Sequence, residues 1–282
     1  MTDNTAPSTS PQESPEGVTE KPASLKRPLR KRVKKYGKRV ARRIADYQAR
    51  QSLVPNTPFL SKDLFPQAVD EFEARWQEIR EEAYGVLRNR DAIPGFEDIS
   101  PDQYRIAQAQ KWKTFILYGF GERLEKNCKQ APRTAEMLSR VPNIQTAWFS
   151  ILAPGYHIPA HTGVTKGILR AHLGLIIAKE REKCRIRVGD EIRVWREGEV
   201  IILDDTFEHE VWNDTDEERV ILLYDFDRPM RFGGRFLSKL FLRLMKLTAF
   251  YQEPRRNLAA AEDRFEAAAR RSNENMEKLS DL

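Results

Sequence analysis

CRIRVGDEIRV, residues 184 to 194, is the stretch that decides the fold. Cys184, Ile186 and Val188 alternate with Arg185 and Arg187, Gly189-Asp190 supplies a turn, and Ile192 and Val194 alternate again. Period-two alternation on both sides of such a turn predicts a β-hairpin. Working outward, further strand-like runs flank it. AWFSIL (147–152) ends at Pro154-Gly155, and ILRAHLGLIIA (168–178) carries few charges. VIIL (200–203) follows the turn Glu197-Gly198-Glu199, Val211 to Asn213 is short, and Val220 to Phe226 reads as a buried strand. Many short strands with turns between them predict a jelly-roll or cupin-like barrel core over 143–230. There is no βαβ alternation and no glycine-rich phosphate loop, which argues against a dinucleotide fold.

The flanks differ from this core. Leu64, Ala68, Phe72, Trp76, Ile79, Ala83 and Leu87 recur at helical spacing and predict one helix from Asp63 to Arg90, ended by Pro94-Gly95. Trp112 to Tyr118 suits a strand. Glu122 to Val141 reads as helix, with Leu124, Cys128, Met137 and Leu138 as core positions. Trp76, Trp112 and Phe115 are read as core. A helical approach over 60–142 and the barrel over 143–230 therefore make one domain spanning 55–230, in a mostly β protein with flanking helices. Beyond it, 231–282 is expected to be an amphipathic helix and a polar tail. From Phe236 to Tyr251, Phe236, Leu237, Leu240, Phe241, Leu244, Leu247 and Tyr251 fall on one side, with Arg235, Lys239, Arg243 and Lys246 beside them. Such a face either packs on the barrel or lies on a membrane. Residues 257–282 read as a loose helix or as disorder.

Charge is unevenly spread. Residues 26–50 hold twelve Lys/Arg against Asp46 alone, +11, which leaves −5 for the rest of a chain whose net charge is +6. Residues 1–25, rich in Thr, Ser, Pro and Glu, are expected to be disordered. Residues 26–54 form a basic arm with an apolar stripe, Leu29, Val33, Tyr36, Val40, Ile44 and Tyr47, at helical spacing. That arm reads equally as a helix docked on its own domain or as an interfacial helix on anionic lipid. Nucleic acid is the weaker choice, for there are few aromatics and no base-reading motif. The N-terminus has no apolar secretory stretch, no run approaches the roughly 18 apolar residues of a spanning helix, and two cysteines make no disulfide framework. A cytoplasmic protein, peripheral on the inner face of the membrane, is the expectation.

All four histidines fall in the barrel region: His157, His161, His172 and His209. Pro159 between His157 and His161 speaks against a zinc-binding H-x-x-x-H helix. Arg170 and His172, two apart on a strand, share one face. A histidine on a strand is often merely hydrogen-bonded, so these residues alone leave a metal role open.

Taken together, several segments carry a resemblance. His161-Thr162-Gly163, then Leu169-Arg170-Ala171-His172-Leu173-Gly174-Leu175, then Glu199-Val200 with Asp204-Asp205-Thr206-Phe207-Glu208-His209-Glu210-Val211-Trp212, then Arg219, Asp225 and Arg228-Pro229 follow in order. Over about residues 110–230 they closely resemble the aspartyl/asparaginyl β-hydroxylase family. That family includes hydroxylases of Asp/Asn in peptides, hydroxylases of amino acids, and bacterial lipid A acyl-chain hydroxylases. The resemblance implies a double-stranded β-helix and an iron(II)- and 2-oxoglutarate-dependent dioxygenase that hydroxylates an unactivated C–H bond.

By the same resemblance, His161 and His209 would hold the iron. Arg219, helped by Ser150, would bind the distal carboxylate of 2-oxoglutarate, and Arg170 and His172 would lie at its iron-side carboxylate. Neutral imidazoles suit iron(II), and arginine grips a carboxylate bidentately. Two residues after His161 stands Gly163 where a carboxylate ligand is usual, a departure the resemblance explains because animal members bind iron through two histidines and water. Asp204 and Asp205 take a supporting or loop role, and His157 is structural or substrate-facing. Joined to the basic arm (26–50), the segment 235–251 favours a membrane lipid as substrate, with an acyl chain of lipid A as the expected target. The alternatives are an Asp/Asn residue in a protein or peptide, and a non-catalytic cupin-like binding module.

Overall fold

The computed structural model describes residues 43–280, residue 248 excepted. The expected disordered N-terminus and the stripe positions Leu29, Val33, Tyr36 and Val40 lie outside the described residues. What is described of the arm is its end, helix α1 over 43–51. Gln48 on this helix is buried and donates to Ser238 Oγ at 3.0 Å and Thr165 Oγ1 at 3.3 Å, so α1 is docked on its own domain.

The chain continues through β1 (Phe59–Leu60), α2 (Pro66–Ala74), α3 (Trp76–Leu87) and α4 (Phe96–Ile99). It then forms β2 (Trp112–Gly119), β3 (Glu122–Arg123), α5 (Glu125–Gln130) and α6 (Pro132–Arg140). The strands β4 (Ile144–Leu152), β5 (Tyr156–His161), β6 (Ile168–Ile176), β7 (Cys184–Val188) and β8 (Glu191–Val194) come next. After them come β9 (Val200–Leu203), β10 (His209–Asn213), β11 (Arg219–Asp227), α7 (Phe232–Met245) and α8 (Ala249–Ser280).

Several helix expectations need correction, each for a local reason. The single helix over Asp63–Arg90 is two, α2 and α3. Arg75 stands between them off helical geometry (φ −121°, ψ 23°), its guanidinium bonded to Glu71 and Glu78, and Pro66 opens α2 where its missing N–H costs nothing. The helix over Glu122–Val141 also divides. Pro132 drives Ala131 out of the helical region (φ −138°, ψ 63°), so α6 starts afresh. The segment Phe236–Tyr251 is not one helix either, because α7 ends at Met245 and α8 begins at Ala249. Residues 257–282 are not loose: through Ser280 they continue α8, and Leu258, Ala261, Phe265 and Ala269, spaced by three and four, are buried. Phe265 meets Phe115 with ring centroids 4.6 Å apart.

The strands form two antiparallel sheets, β1-β9-β6-β11-β4-β2-β3 and β5-β10-β7-β8. Within them, β4-β11-β6-β9 faces β5-β10-β7-β8, with consecutive strands crossing between sheets except at the β7–β8 hairpin. That is the jelly-roll, double-stranded β-helix order, extended on the larger sheet by β1, β2 and β3. The larger sheet is covered on both faces. On β11, Val220, Leu222, Tyr224 and Phe226 join the core shared with α2, α3, α5, α6 and α8, while Ile221 and Leu223 join the core between the sheets. The same division holds for Phe149 against Trp148 on β4, and on β6 Ala171 and Leu173 join the helix-side core. Two-sided burial explains why β11 reads as an unbroken apolar run while β7, with one wet face, alternates.

Near the end of β6 the larger sheet meets the turn that leads from β8 into β9. Gly174 accepts from the Gly198 N–H at 2.9 Å and donates to the Glu199 carbonyl at 3.2 Å. A side chain at 174 would overlap the Arg196 carbonyl, so this approach requires glycine. Gly174→Ala should therefore destabilise the fold by about 1–3 kcal/mol, the range for overpacking a tight interior. Thermal unfolding followed by circular dichroism checks this, with a lowered midpoint expected.

Candidate active site

Strand periodicity builds the site. Ser150 on β4, Arg170 and His172 on β6, and Arg219 and Asp225 on β11 all occupy positions whose even-spaced neighbours face the space between the sheets. From the smaller sheet, His209 shares a face with Val211, which belongs to the same inner core. Polar groups thus converge on an otherwise apolar interior.

His161 ends β5 and His209 opens β10, and the two are paired in register. Their rings lie 4.1 Å apart between centroids at 52°. His161 Nδ1 is 2.8 Å from the Pro159 carbonyl and His209 Nδ1 is 3.0 Å from the Phe207 carbonyl. A carbonyl only accepts, so both rings carry their proton on Nδ1 and keep the Nε2 lone pair for an electrophile. Burial holds the His161 pKa below its usual value, and burial plus the neighbouring His161 pushes His209 down to about 3. Both are neutral imidazoles at physiological pH, as a metal ligand must be.

His172 is buried, and neither ring nitrogen has a hydrogen-bond partner among the described residues. Burial, then Arg170 and Arg219, depress its pKa strongly. Arg219 is 2 % exposed and forms no ion pair among the described residues. Its guanidinium stacks over the Trp195 ring at 4.8 Å, and burial lowers its pKa to about 10. A buried cation with no carboxylate against it is costly and invites an anion. Ser150 Oγ, on the adjoining strand, accepts from Trp112 Nε1 at 2.9 Å.

Arg170 is differently placed. Its Nε and Nη2 donate to the Asp225 oxygens at 2.7 and 2.9 Å, and Nη1 reaches Asp205 at 3.3 Å. Burial opposes its charge, but the two carboxylates more than offset this and raise its pKa. Arg170 therefore sits within electrostatic reach of all three inner histidines with its own charge already matched. Asp205 fills the space that a side chain at residue 163 would need, so Gly163 is what lets this carboxylate stand beside the end of β5. Burial raises the Asp205 pKa to about 6. His157 lies away from the group, on the outer face of the smaller sheet, stacked on Trp212 at 5.1 Å and 3.0 Å from Glu210.

Two contributors go beyond the motifs: Trp195 lies outside them, and Asp204 and Arg228, both within them, are joined by Lys166 in a pairing that spacing does not show. Trp195, just after β8, is fully buried beside both Arg219 and His172, with its ring 5.9 Å from the latter. The other is a buried strut. Asp204 is wholly enclosed, paired to Arg228 Nη2 and to Lys166 Nζ at 2.7 Å, and it accepts from the Thr206 N–H at 3.1 Å. It fixes the loop that delivers Asp205 and His209. Among the described residues, no cluster of three or more His, Cys, Asp or Glu side chains could hold a metal, so the histidine pair is joined by no third such side chain.

Residues 73–229 match the family model for aspartyl/asparaginyl β-hydroxylase. The chain belongs to that family. An ornithine lipid ester-linked acyl 2-hydroxylase from Rhizobium tropici is 41 % identical over 214 residues, 76 % of each chain. The human aspartyl/asparaginyl β-hydroxylase is 37 % identical over 170 residues, which are 58 % of this chain but only 22 % of that one. Among solved structures, an oxidoreductase of the 2OG-Fe(II) oxygenase family from Burkholderia pseudomallei aligns over 42 % of this chain and 66 % of its own, at TM-score 0.34 and 15 % identity. The relatives are hydroxylases, and the matched span contains every residue of the inner cluster.

The strut yields a prediction. Arg228→Met would leave Asp204 buried against Lys166 alone, and breaking a buried pair from one side costs about 3–5 kcal/mol. Urea unfolding should show that loss, whereas Lys183→Met, on an exposed pair with Glu180, should change little.

Proposed function

We propose that the chain is an iron(II)- and 2-oxoglutarate-dependent hydroxylase of an acyl chain in a membrane lipid. The observation that carries this reading is the pair of Nε2 lone pairs on His161 and His209, set in the same interior as the unpaired guanidinium of Arg219. The donor set suits iron(II): two neutral imidazoles, each oriented by a backbone carbonyl, leave most coordination positions to a chelating cosubstrate, dioxygen and water. Iron and 2-oxoglutarate, when bound, supply the oxidising power that replaces a C–H bond with C–OH.

The protein's own part is positioning. Arg219 offers a preformed, desolvated anchor for the far carboxylate of 2-oxoglutarate, and Ser150 stands on the neighbouring strand as a further hydrogen-bonding group. Trp195 holds the Arg219 fork flat and shields it from water. Arg170 and His172 border the two metal-binding rings, where the near carboxylate would lie. Arg170 contributes its field while clamped by Asp225 and Asp205, which keeps it from collapsing onto the histidines. The apolar inner core keeps bulk water from the reacting centre.

A lipid substrate is favoured by the Rhizobium relative, whose similarity extends over three quarters of both chains. Ornithine lipid and lipid A are the two acyl-bearing substrates to compare. Anaerobic titration should detect iron(II) and 2-oxoglutarate binding. Mass spectrometry of lipid and protein extracts from cells with and without the gene should then show one added oxygen on a lipid acyl chain. Modification of a protein with unchanged lipids would transfer the reading to hydroxylation of a protein or peptide, in line with the aspartyl/asparaginyl β-hydroxylase named for the human relative.

Two predictions follow from the residue roles. His161→Ala and His209→Ala should each abolish 2-oxoglutarate turnover, measured as succinate release, with the circular dichroism spectrum retained; full turnover in both variants would remove them from the metal site. Arg219→Ala should weaken 2-oxoglutarate binding about tenfold to a hundredfold, in keeping with roughly 1.5–3 kcal/mol for a charge-assisted bond. Arg219→Lys should recover little, since the planar fork is lost. Calorimetric titration of the iron-loaded protein reads both.

A further inference from the structure

Helix α7 has two faces of different character. Gly234 and Ser238 are buried, and Ser238 accepts a hydrogen bond from Gln48 of α1, so this side is seated on the domain. The other side is open. Phe232 is 78 % exposed, Phe236 62 %, Leu240 41 %, Leu244 55 % and Leu247 80 %. At helical spacing these five cover one continuous arc, and Arg235, Lys239 and Arg243, all exposed, lie along its edge. So much contiguous apolar surface on a folded chain marks a docking site. A cavity of about 740 Å³ continues the surface inward, with Phe232, Phe236, Arg235 and Lys239 on one wall and Leu53 and Leu64 on the other.

We propose that this face of α7 docks the protein on an anionic lipid bilayer, its five apolar side chains entering the headgroup boundary while Arg235, Lys239 and Arg243 meet lipid phosphates. Charge selects the occupant. A second copy joined through the same face would bring like-charged rims together. The chain's own basic segment, +11 over residues 26–50, would be repelled by the same arc. A bilayer bearing acidic headgroups satisfies both halves of the face at once. No helix among the described residues is long and apolar enough to cross a membrane, and docking of this kind needs none. The inference deepens the lipid reading, since it names the surface from which such a substrate would be taken, but it stands on α7 alone.

The test uses the full chain and sedimentable vesicles of phosphatidylcholine, with or without phosphatidylglycerol. Binding should require phosphatidylglycerol. Phe232→Ser/Phe236→Ser/Leu240→Ser should weaken it by more than about a hundredfold, because apolar insertion sets the affinity. Arg235→Glu/Lys239→Glu/Arg243→Glu should weaken it in low salt and flatten its salt dependence. Because Cys128 and Cys184 are buried, a Phe236→Cys variant can be labelled at that site alone with an environment-sensitive dye, whose emission should shift to the blue on vesicle addition. Wild-type binding by the serine variant overturns the proposal, as does an unshifted dye on bound protein. A dimer in sedimentation that the serine variant loses, without vesicle binding by the wild type, would hand the face to a second copy and overturn it as well. Succinate release from the same preparations separates the two readings. Vesicle binding without turnover would remove the oxygenase assignment and leave the docking face, and turnover without vesicle binding would do the reverse.

Discussion

The larger sheet is covered on both sides, by helices on one face and by the smaller sheet on the other, and this constraint governs everything else in the domain. A strand in that position has no wet face on which to place a polar side chain. Each polar residue on β4, β6 or β11 is therefore committed to the interior and must find a partner there. Asp225 and Arg170 find one another. Tyr224, pointing to the helical side, donates to the Ala68 carbonyl. Arg219 and His172 find no protein partner among the described residues. The distinction separates residues that hold the barrel together from residues that await something else.

The inner cluster is electrostatically lopsided. Burial alone would discharge its histidines, and the arginines reinforce that effect. The carboxylates, Asp205 and Asp225, balance Arg170 and leave Arg219 uncompensated. A dianion that also chelates a metal between two imidazoles would redress this imbalance. On the proposed reading, the same lopsidedness would let a barrel with two metal-binding side chains work, the missing ligand charge arriving with the cosubstrate rather than from the position of Gly163.

Much of this was legible in the sequence, and the reasons are local. The alternation at 184–194 and the apolar run at 220–226 report one-sided and two-sided burial, so the barrel and its hairpin were readable. Arg170 and His172 could be put on one face because strand period is fixed, and the family resemblance drew His161, His209, Arg219 and Ser150 together although spacing alone did not. What escaped was of two kinds. The helix break at Arg75 depends on one residue's backbone, and apolar periodicity runs across it, whereas the break at Ala131 is signalled by Pro132 and was passed over. Trp195 lies outside the motifs, and although Asp204 and Arg228 lie within them, their pairing with Lys166 joins distant segments that no local pattern links. The polar tail hid a buried stripe, Leu258, Ala261, Phe265 and Ala269, because alanine-rich spacing looks the same on a docked helix as on a free one.

Arg228 reaches further than the loop it steadies. While one arm of its guanidinium holds Asp204, the other donates to Ser52 Oγ, the Pro55 carbonyl and Asn56 Oδ1, at 3.2, 3.3 and 3.3 Å. One side chain thus fastens the segment after α1 and the approach to His209 to the same point. The span shared with the family begins at residue 73, but mechanical integrity of the centre begins some twenty residues earlier. A shortened protein cut at the family boundary would keep every residue of the inner cluster and still lose the brace that steadies the loop before His209. The smallest self-sufficient unit is accordingly defined by this brace rather than by the extent of sequence similarity.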